Sequence, residues 1–380
     1  VKVGIDASNV RAGGGVTHLR ELLGHARPAE HGVDEVIVWG GRRTLDQLPP
    51  AGGWLTTVHE PALDGALPRR LWWQRARLTA AARAARCQVL FVPGGSFAGS
   101  FRPYVTMFRN MLPFDRREMR RYAYGYIYWR LRALRRQQLD AFRSADGVIF
   151  LNGHARETIE QITGRSETYT IIPHGVGEKF LAPPRAQQPI ERYDFARPFR
   201  FVYTSIIDLY KHQWNVADAV LMLRQEGLPV ALDLVGPAYA PALAKVNAVL
   251  SRYSDVGDGV RLLGNVPNPQ LPSIYRGADS FVFASTCENM PNALIEAMAS
   301  ALPVACSRSR PMPEILGDGG VYFDAEDVSS IAEALRALAT DAPLRARLAA
   351  AASARAAAYS WERCARQTFA FLHRIAERAA

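Results

Sequence analysis

Ser285-Thr286-Cys287-Glu288-Asn289-Met290-Pro291-Asn292-Ala293-Leu294-Ile295-Glu296-Ala297-Met298 is the stretch on which the reading of this chain turns. The four residues before it, Phe281-Val282-Phe283-Ala284, form an apolar run of strand length, and strong helix formers follow Asn292. The stretch therefore reads as a buried strand, a short loop carrying Glu288, and a helix over 292–300 capped by Asn292. Glu296 then falls about one turn into the helix. The free amides of a helix start favour a negative group such as a diphosphate. A carboxylate on the loop can accept hydrogen bonds from sugar hydroxyls, and one on the helix can hold a ribose diol. The spacing suits a ligand in which sugar, diphosphate and ribose stand in a row.

Outward from this stretch, short apolar runs alternate with amphipathic ones, the mark of βαβ units and parallel sheets. Seven strands are expected before residue 175, from 1–7 to 169–172, and six after 200, from 200–204 to 320–323. Helices are expected between them, among them 16–27, 69–86 and 115–142. A proline-rich passage with Pro183, Pro184 and Pro189 reads as a linker. The fold class is α/β, with a Rossmann-like domain over 1–175, the linker over 176–199, and a second Rossmann-like domain over 200–358. The Ala/Arg-rich tail, 343–380, is expected to be helical with a break near Tyr359-Ser360-Trp361. Two doubly wound halves imply a cleft between them, where ligands of such sheets usually bind.

The 380 residues suit two domains, and 48% hydrophobic with 22% charged residues is a globular composition. No apolar run reaches membrane-spanning length, and Val1-Lys2-Val3-Gly4-Ile5-Asp6 reads as a strand rather than a signal peptide. Cys87, Cys287, Cys306 and Cys364 are scattered without CxxC spacing, which implies buried reduced thiols and a cytoplasmic setting. The net charge of +10 is uneven: 102–143 holds 11 arginines against Asp115, Glu118 and Asp140. Within it, Arg116 to Arg136 interleaves arginines with Tyr122, Tyr124, Tyr126, Tyr128 and Trp129. That mixture suits an anionic membrane surface, on the inner face, or a phosphate-bearing lipid. The alternative is a solvated helix face with its aromatics turned inward. Nucleic acid is not expected, since no nucleic-acid-binding signature accompanies the charge.

The E-x7-E spacing of Glu288 and Glu296, continued by Ala297-Met298-Ala299-Ser300-Ala301-Leu302-Pro303-Val304, resembles glycosyltransferase family 4, retaining enzymes of GT-B architecture. The likeness takes in Leu209-Tyr210-Lys211-His212-Gln213, Gly264-Asn265-Val266, Ile172-Pro173-His174-Gly175-Val176, Ser360-Trp361-Glu362 and the glycine-rich Gly13-Gly14-Gly15. It implies that the last helix crosses back onto the first domain. It implies a nucleoside-diphosphate sugar as donor, UDP- or GDP-linked, a glycan or lipid-linked saccharide as acceptor, and no cofactor or metal. Lys211 would neutralise the donor diphosphate, Glu288 would lie beside the donor sugar and Glu296 at the ribose. The amides from Asn289 through Met290, Pro291, Asn292 and Ala293 to Leu294 (Pro291 itself has none) would face sugar hydroxyls and phosphate. Gly14 and Gly15 would let backbone approach the reacting groups.

Two positions depart from the family pattern. Ser205 stands where many relatives carry an arginine, six residues before the phosphate lysine. After the fifth strand, where many carry a histidine, this chain has Arg109 and Asn110. Neither can serve as a general base at pH 7, because arginine stays protonated and an amide does not titrate. Deprotonation of the acceptor by donor phosphate oxygen suits a retaining front-face reaction; the alternative is that Arg109 and Asn110 orient the sugar. His18 and His174 read as turn or cap residues. A nucleotide-sugar epimerase, a sugar phosphorylase or a non-catalytic glycan- or lipid-binding relative would use the same architecture. A dinucleotide-dependent oxidoreductase would need a G-x-G-x-x-G turn and an acid ending the second strand, where Trp39-Gly40-Gly41 stands.

Overall fold

The structure, a computed structural model, describes residues 1–11, 13–164, 168–256 and 258–379. Ala380, the last residue of the expected tail helix, lies outside them. Among the described residues thirteen strands form two sheets. The first holds β1 (Lys2–Asp6), β2 (Glu35–Gly40), β3 (Leu55–His59), β4 (Val89–Val92), β5 (Tyr104–Met107), β6 (Gly147–Phe150) and β7 (Tyr169–Ile171). The second holds β8 (Phe199–Thr204), β9 (Val230–Val235), β10 (Val260–Gly264), β11 (Ser280–Phe283), β12 (Val304–Ser307) and β13 (Gly320–Phe323). Spatial orders are β3-β2-β1-β4-β5-β6-β7 and β10-β9-β8-β11-β12-β13, all parallel.

Each sheet thus reverses its winding once, beside its first strand. In the first, Val3 pairs with Val36 of β2 and with Val89 of β4. In the second, Phe201 pairs with Leu232 of β9 and with Ser280 of β11. The central strands are covered on both faces, which is why they read as unbroken Val/Ile/Phe runs: Val3, Ile5, Val89, Phe201, Val202 and Phe281 are all 0% exposed. Each such side chain contributes about 1.5–3 kcal/mol by leaving water. Loops at the carboxyl ends of β1 and β4, and of β8 and β11, flank the two reversal points, where doubly wound sheets hold ligands.

The chain divides into two compact units. The first takes Val1–Phe114, Tyr124–Gly175 and Ser360–Ala380, the second Asp115–Ala123 and Val176–Tyr359. The last helix, Trp361–Ala379, belongs to the first unit, with Trp361, Ala365, Thr368, Phe369, Leu372 and Ile375 along one buried stripe. His18 and His174 are buried, Nδ1 to Nδ1 at 2.9 Å, beside the Trp361 ring. Burial holds both imidazoles well below their usual range. They seal the seat of that helix.

The passage 176–199 packs on the second unit. Phe180 is buried, Ala182 N–H donates to Ala299 O at 3.0 Å, and Arg345 donates to Gln187 Oε1 at 3.1 Å. The helix expected over 115–142 is two helices, Arg116–Arg120 and Tyr126–Ser144. Ala123 and Tyr124 between them have φ of 49° and 56°, incompatible with a continuous right-handed helix. Periodicity alone could not show this, because the two pieces serve different cores. All four cysteines are free and buried. Among the described residues no helix is long and apolar enough to cross a membrane.

Candidate active site

In the second unit the loops after β8 and β11 are joined at adjacent residues. Thr286 N–H donates to Tyr210 O at 2.9 Å, and His212 Nε2 lies 3.2 Å from Thr286 Oγ1. This join sets Lys211 against Glu288, and their side chains form an ion pair. Lys211 is only 7% exposed in its side chain and Glu288 12%. The ammonium also lies 5.0 Å from the Tyr210 ring centroid and 5.1 Å from that of Phe283. Tyr203 Oη donates to the Lys211 carbonyl at 2.7 Å, which fixes the backbone below it. A buried cation with one carboxylate partner and an aromatic collar is a site prepared for a second anion.

The following helix, Asn292–Ala299, starts one residue earlier than a cap at Asn292 would allow. Pro291 is the flanking residue and gives no cap, while Asn292 is the first helical one. Leu294 N–H is taken up by Pro291 O at 3.1 Å, so the open amides at the tip are those of Asn292 and Ala293. Asn292 Oδ1 is a buried acceptor without a partner among the described residues. Glu296, four residues on, shares its face. Tyr275 Oη donates to Glu296 Oε2 at 3.1 Å and lies 2.6 Å from Thr204 Oγ1 at the end of β8. Burial pushes the Glu296 carboxyl up to about 7, against the opposing pull of the Tyr275 bond and of Lys179. Asn289, Met290, Pro291 and Leu294 are buried, and Leu294 offers a ligand neither side chain nor amide.

Ser205 follows β8 directly and its N–H donates to Val235 O at 2.8 Å. Gly236, at φ 142°, lies so close that a Cβ there would sit 2.1 Å from Ser205 O. Backbone packing therefore sets this turn, and no described side-chain bond links Ser205 to Lys211 or Glu288. Tyr275, backed by Thr204, holds Glu296, and Tyr203 holds the Lys211 backbone; nothing in their isolated sequence positions announced it.

The segment Asp115–Ala123 braces the same unit. Glu118, 1% exposed, accepts from Arg121 Nε at 2.6 Å, and Arg121 pairs also with Glu326. Tyr122 Oη donates to Asp208 Oδ1 at 2.8 Å.

In the first unit, the loops after β1, β4 and β5 line a cavity of about 450 Å³. Gly15, Arg109 and Asn110 all border it. Gly14 and Gly15 are the first residues of the helix Gly14–Gly24, entered through Gly13 at φ 62°, rather than parts of a loop. A Cβ on Gly15 would meet Arg109 Nη1 at 3.3 Å, and Arg109 Nη2 donates to Gly14 O at 2.6 Å. Gly15 thus leaves room for a guanidinium, and Gly14 supplies the carbonyl that it bonds. Burial lowers Arg109 to about 10, which still leaves it cationic at pH 7. Asn110 Oδ1 accepts from Leu112 N–H at 3.2 Å.

The aromatic residues of the basic segment divide. Tyr122 and Tyr128 are buried, whereas Tyr124, Tyr126 and Trp129 are 59%, 82% and 58% exposed.

The pattern of Glycosyltransferase Family 4 matches residues 12–180, and that of Glycosyl transferases group 1 matches 198–341. O-antigen chain mannosyltransferase B of Escherichia coli is 37% identical over 109 residues, 29% of this chain and 29% of that protein. The chain therefore matches under a third of that relative's length. Sucrose-phosphate synthase from Thermosynechococcus elongatus shares the fold with a TM-score of 0.74 at 17% identity, over 97% of each chain. Anabaena HepE in complex with UDP and glucose does so with 0.69 at 20%, over 97% of this chain and 98% of that one. With both halves matched in order and the two doubly wound sheets of GT-B neighbours, the chain belongs to glycosyltransferase family 4.

Proposed function

We propose that the protein transfers a sugar from a nucleoside-diphosphate sugar, UDP- or GDP-linked, to a glycan or lipid-linked saccharide, with retention at the anomeric carbon. The observation that carries this reading is the meeting of Lys211 and Glu288 beside the β8/β11 reversal, with Glu296 one turn into the next helix. Lys211 takes the diphosphate, whose charge grows as the sugar departs, and the open amides of Asn292 and Ala293 assist it. Glu288, released from its pairing, accepts from sugar hydroxyls, and Glu296 accepts from the ribose diol.

No side chain at Arg109 or Asn110 can remove the acceptor proton. The acceptor hydroxyl attacks from the face that the diphosphate leaves. The bond between anomeric carbon and phosphate oxygen breaks as the new glycosidic bond forms, and the proton passes to the departing phosphate oxygen. No metal takes part. The exposed Tyr124, Tyr126 and Trp129, among arginines, hold the first unit at an anionic membrane surface where the acceptor is presented. The UDP in the Anabaena neighbour supports a nucleotide-linked donor.

The test is thermal stabilisation by UDP, GDP, dTDP and ADP sugars in the presence of EDTA. A ligand at a hundred times its Kd adds about 2.7 kcal/mol. One base standing out, with the shift abolished in Glu296→Ala, supports the reading. Conversion of the donor with no acceptor points to an epimerase, and stabilisation by NAD alone overturns glycosyl transfer.

A further inference from the structure

Residues 115–123 lie between β5 and β6 in the chain, and their neighbours Phe114 and Tyr124 belong to the first unit, yet the segment itself belongs to the second. There it meets the two loops that carry Lys211 and Glu288. Tyr122 Oη donates to Asp208 Oδ1 at 2.8 Å, and the same oxygen accepts from Leu209 N–H at 2.7 Å. Asp208 O accepts from Lys211 N–H at 3.0 Å, so Tyr122 holds the turn from which the lysine projects.

The segment reaches the other loop through its acids. Burial raises the Cys287 thiol well above its ordinary range, and the carboxylates of Asp115, Glu288 and Glu118 raise it further. Cys287 stands between Thr286 and Glu288, so Asp115 and Glu118 lie against the loop that carries Glu288. Burial also raises Glu118, opposed first by Arg121 and then by the Thr286 hydroxyl. Arg117 and Arg121 both pair with Glu326, and all three act on His212, the residue after Lys211. Burial lowers the His212 imidazole to about 4; Arg121 and Arg117 press the same way and Glu326 opposes them.

Most of these anchors are polar. Within the segment Glu118, Met119 and Tyr122 are buried, and the rest is partly or fully exposed. Buried ion pairs and hydrogen bonds add little net stability beside apolar packing, but they hold one geometry. Geometry matters here. A loop beyond its sheet has no ladder to hold it, and a reacting group misplaced by about 1 Å can slow a reaction about a hundredfold.

We propose that 115–123 is a positioning element for donor binding: Tyr122, through Asp208, and Glu118, through the loop of Thr286 and Cys287, hold the loops after β8 and β11 so that Lys211 meets the diphosphate. This rests on the glycosyl-transfer reading. Both residues act through others rather than on the donor.

Tyr122→Phe removes the bond to Asp208 and keeps the ring, which packs 5.9 Å from that of Tyr239, so the fold is retained. Binding of UDP and of GDP is measured by calorimetry in this variant, in Asp208→Ala, in the double variant and in Asp208→Asn. Tyr122→Phe and Asp208→Ala each weaken nucleotide binding about tenfold. The double variant binds no more weakly than Asp208→Ala, because the two residues work as one. Asp208→Asn keeps the accepting oxygen and binds as the wild type does. Hydrogen exchange at the Leu209, Lys211 and Thr286 amides quickens in Tyr122→Phe, while that of the β9 amides is unchanged. Wild-type affinity in Tyr122→Phe, or losses that add in the double variant, overturns the proposal, whatever happens to stability. If the wild type binds neither nucleotide, the glycosyl-transfer reading falls and exchange decides alone: faster exchange at the three amides keeps the positioning of Lys211, and unchanged exchange removes it.

Discussion

Replacing Glu296 by glutamine separates what this carboxyl does for stability from what it does for binding. Folding raises it from 4.5 to about 7, so between those values the native state keeps a proton that the unfolded chain has lost. The stabilisation is whole below about pH 4.5 and is lost as pH climbs through 7. At about 1.4 kcal/mol for each pKa unit, the loss comes to about 3 kcal/mol. Glutamine cannot ionise, yet keeps an acceptor for Tyr275 Oη. Urea unfolding of both proteins from pH 4.5 to 8 should therefore show Glu296→Gln gaining about 3 kcal/mol on the wild type over that range. A ribose diol needs the ionised carboxylate, so wild-type affinity for the donor should rise with pH and level off above 7, while the variant binds weakly throughout. Unfolding curves that stay parallel with pH, or a donor affinity in the variant that matches wild type, would refute the reasoning.

Lys211→Met should cut transfer by about a hundredfold or more and lower stability by about 3 kcal/mol, because it leaves Glu288 buried without its cation. Adding Glu288→Gln should restore most of the stability and none of the transfer; recovery of transfer in that double variant would sink the diphosphate role. Vesicles containing phosphatidylserine should sediment the protein where pure phosphatidylcholine does not, and Tyr126→Ser with Trp129→Ser should weaken this at least fivefold. Equal sedimentation with both vesicle types would dismiss the membrane contact.

Strands were legible because parallel strands covered on both faces are written as plain apolar runs, such as Val89–Val92 and Phe281-Val282-Phe283. The spacing of Glu288 and Glu296 stood out for a different reason: a strand, a loop and a helix follow one another there within residues 280–299. Asn292 was misplaced by one because the cap preference of asparagine competes with proline, whose fixed φ let Pro291 end the loop. Tyr275 escaped notice because its partners, Thr204 and Glu296, lie far away in the chain and meet it only through the fold. The break at Ala123–Tyr124 was hidden for a related reason. Both sides are amphipathic with a helical period, and only the assignment of each to its own core separates them.

The path of the chain through the two units bears on how the protein is made. The first unit is discontinuous: residues 176–359 intervene before the helix Trp361–Ala379 returns to it. During synthesis the second unit can complete itself while the first still lacks the helix that covers β4 and β5. Until then the seat of Trp361, Phe369 and Leu372 is open to water, an apolar surface for chaperones or for aggregation. Contacts between the earliest and latest residues of a chain close the longest loops, and such contacts form slowly. Nascent chains stalled before residue 361 should therefore carry a finished second unit and an unfinished first one.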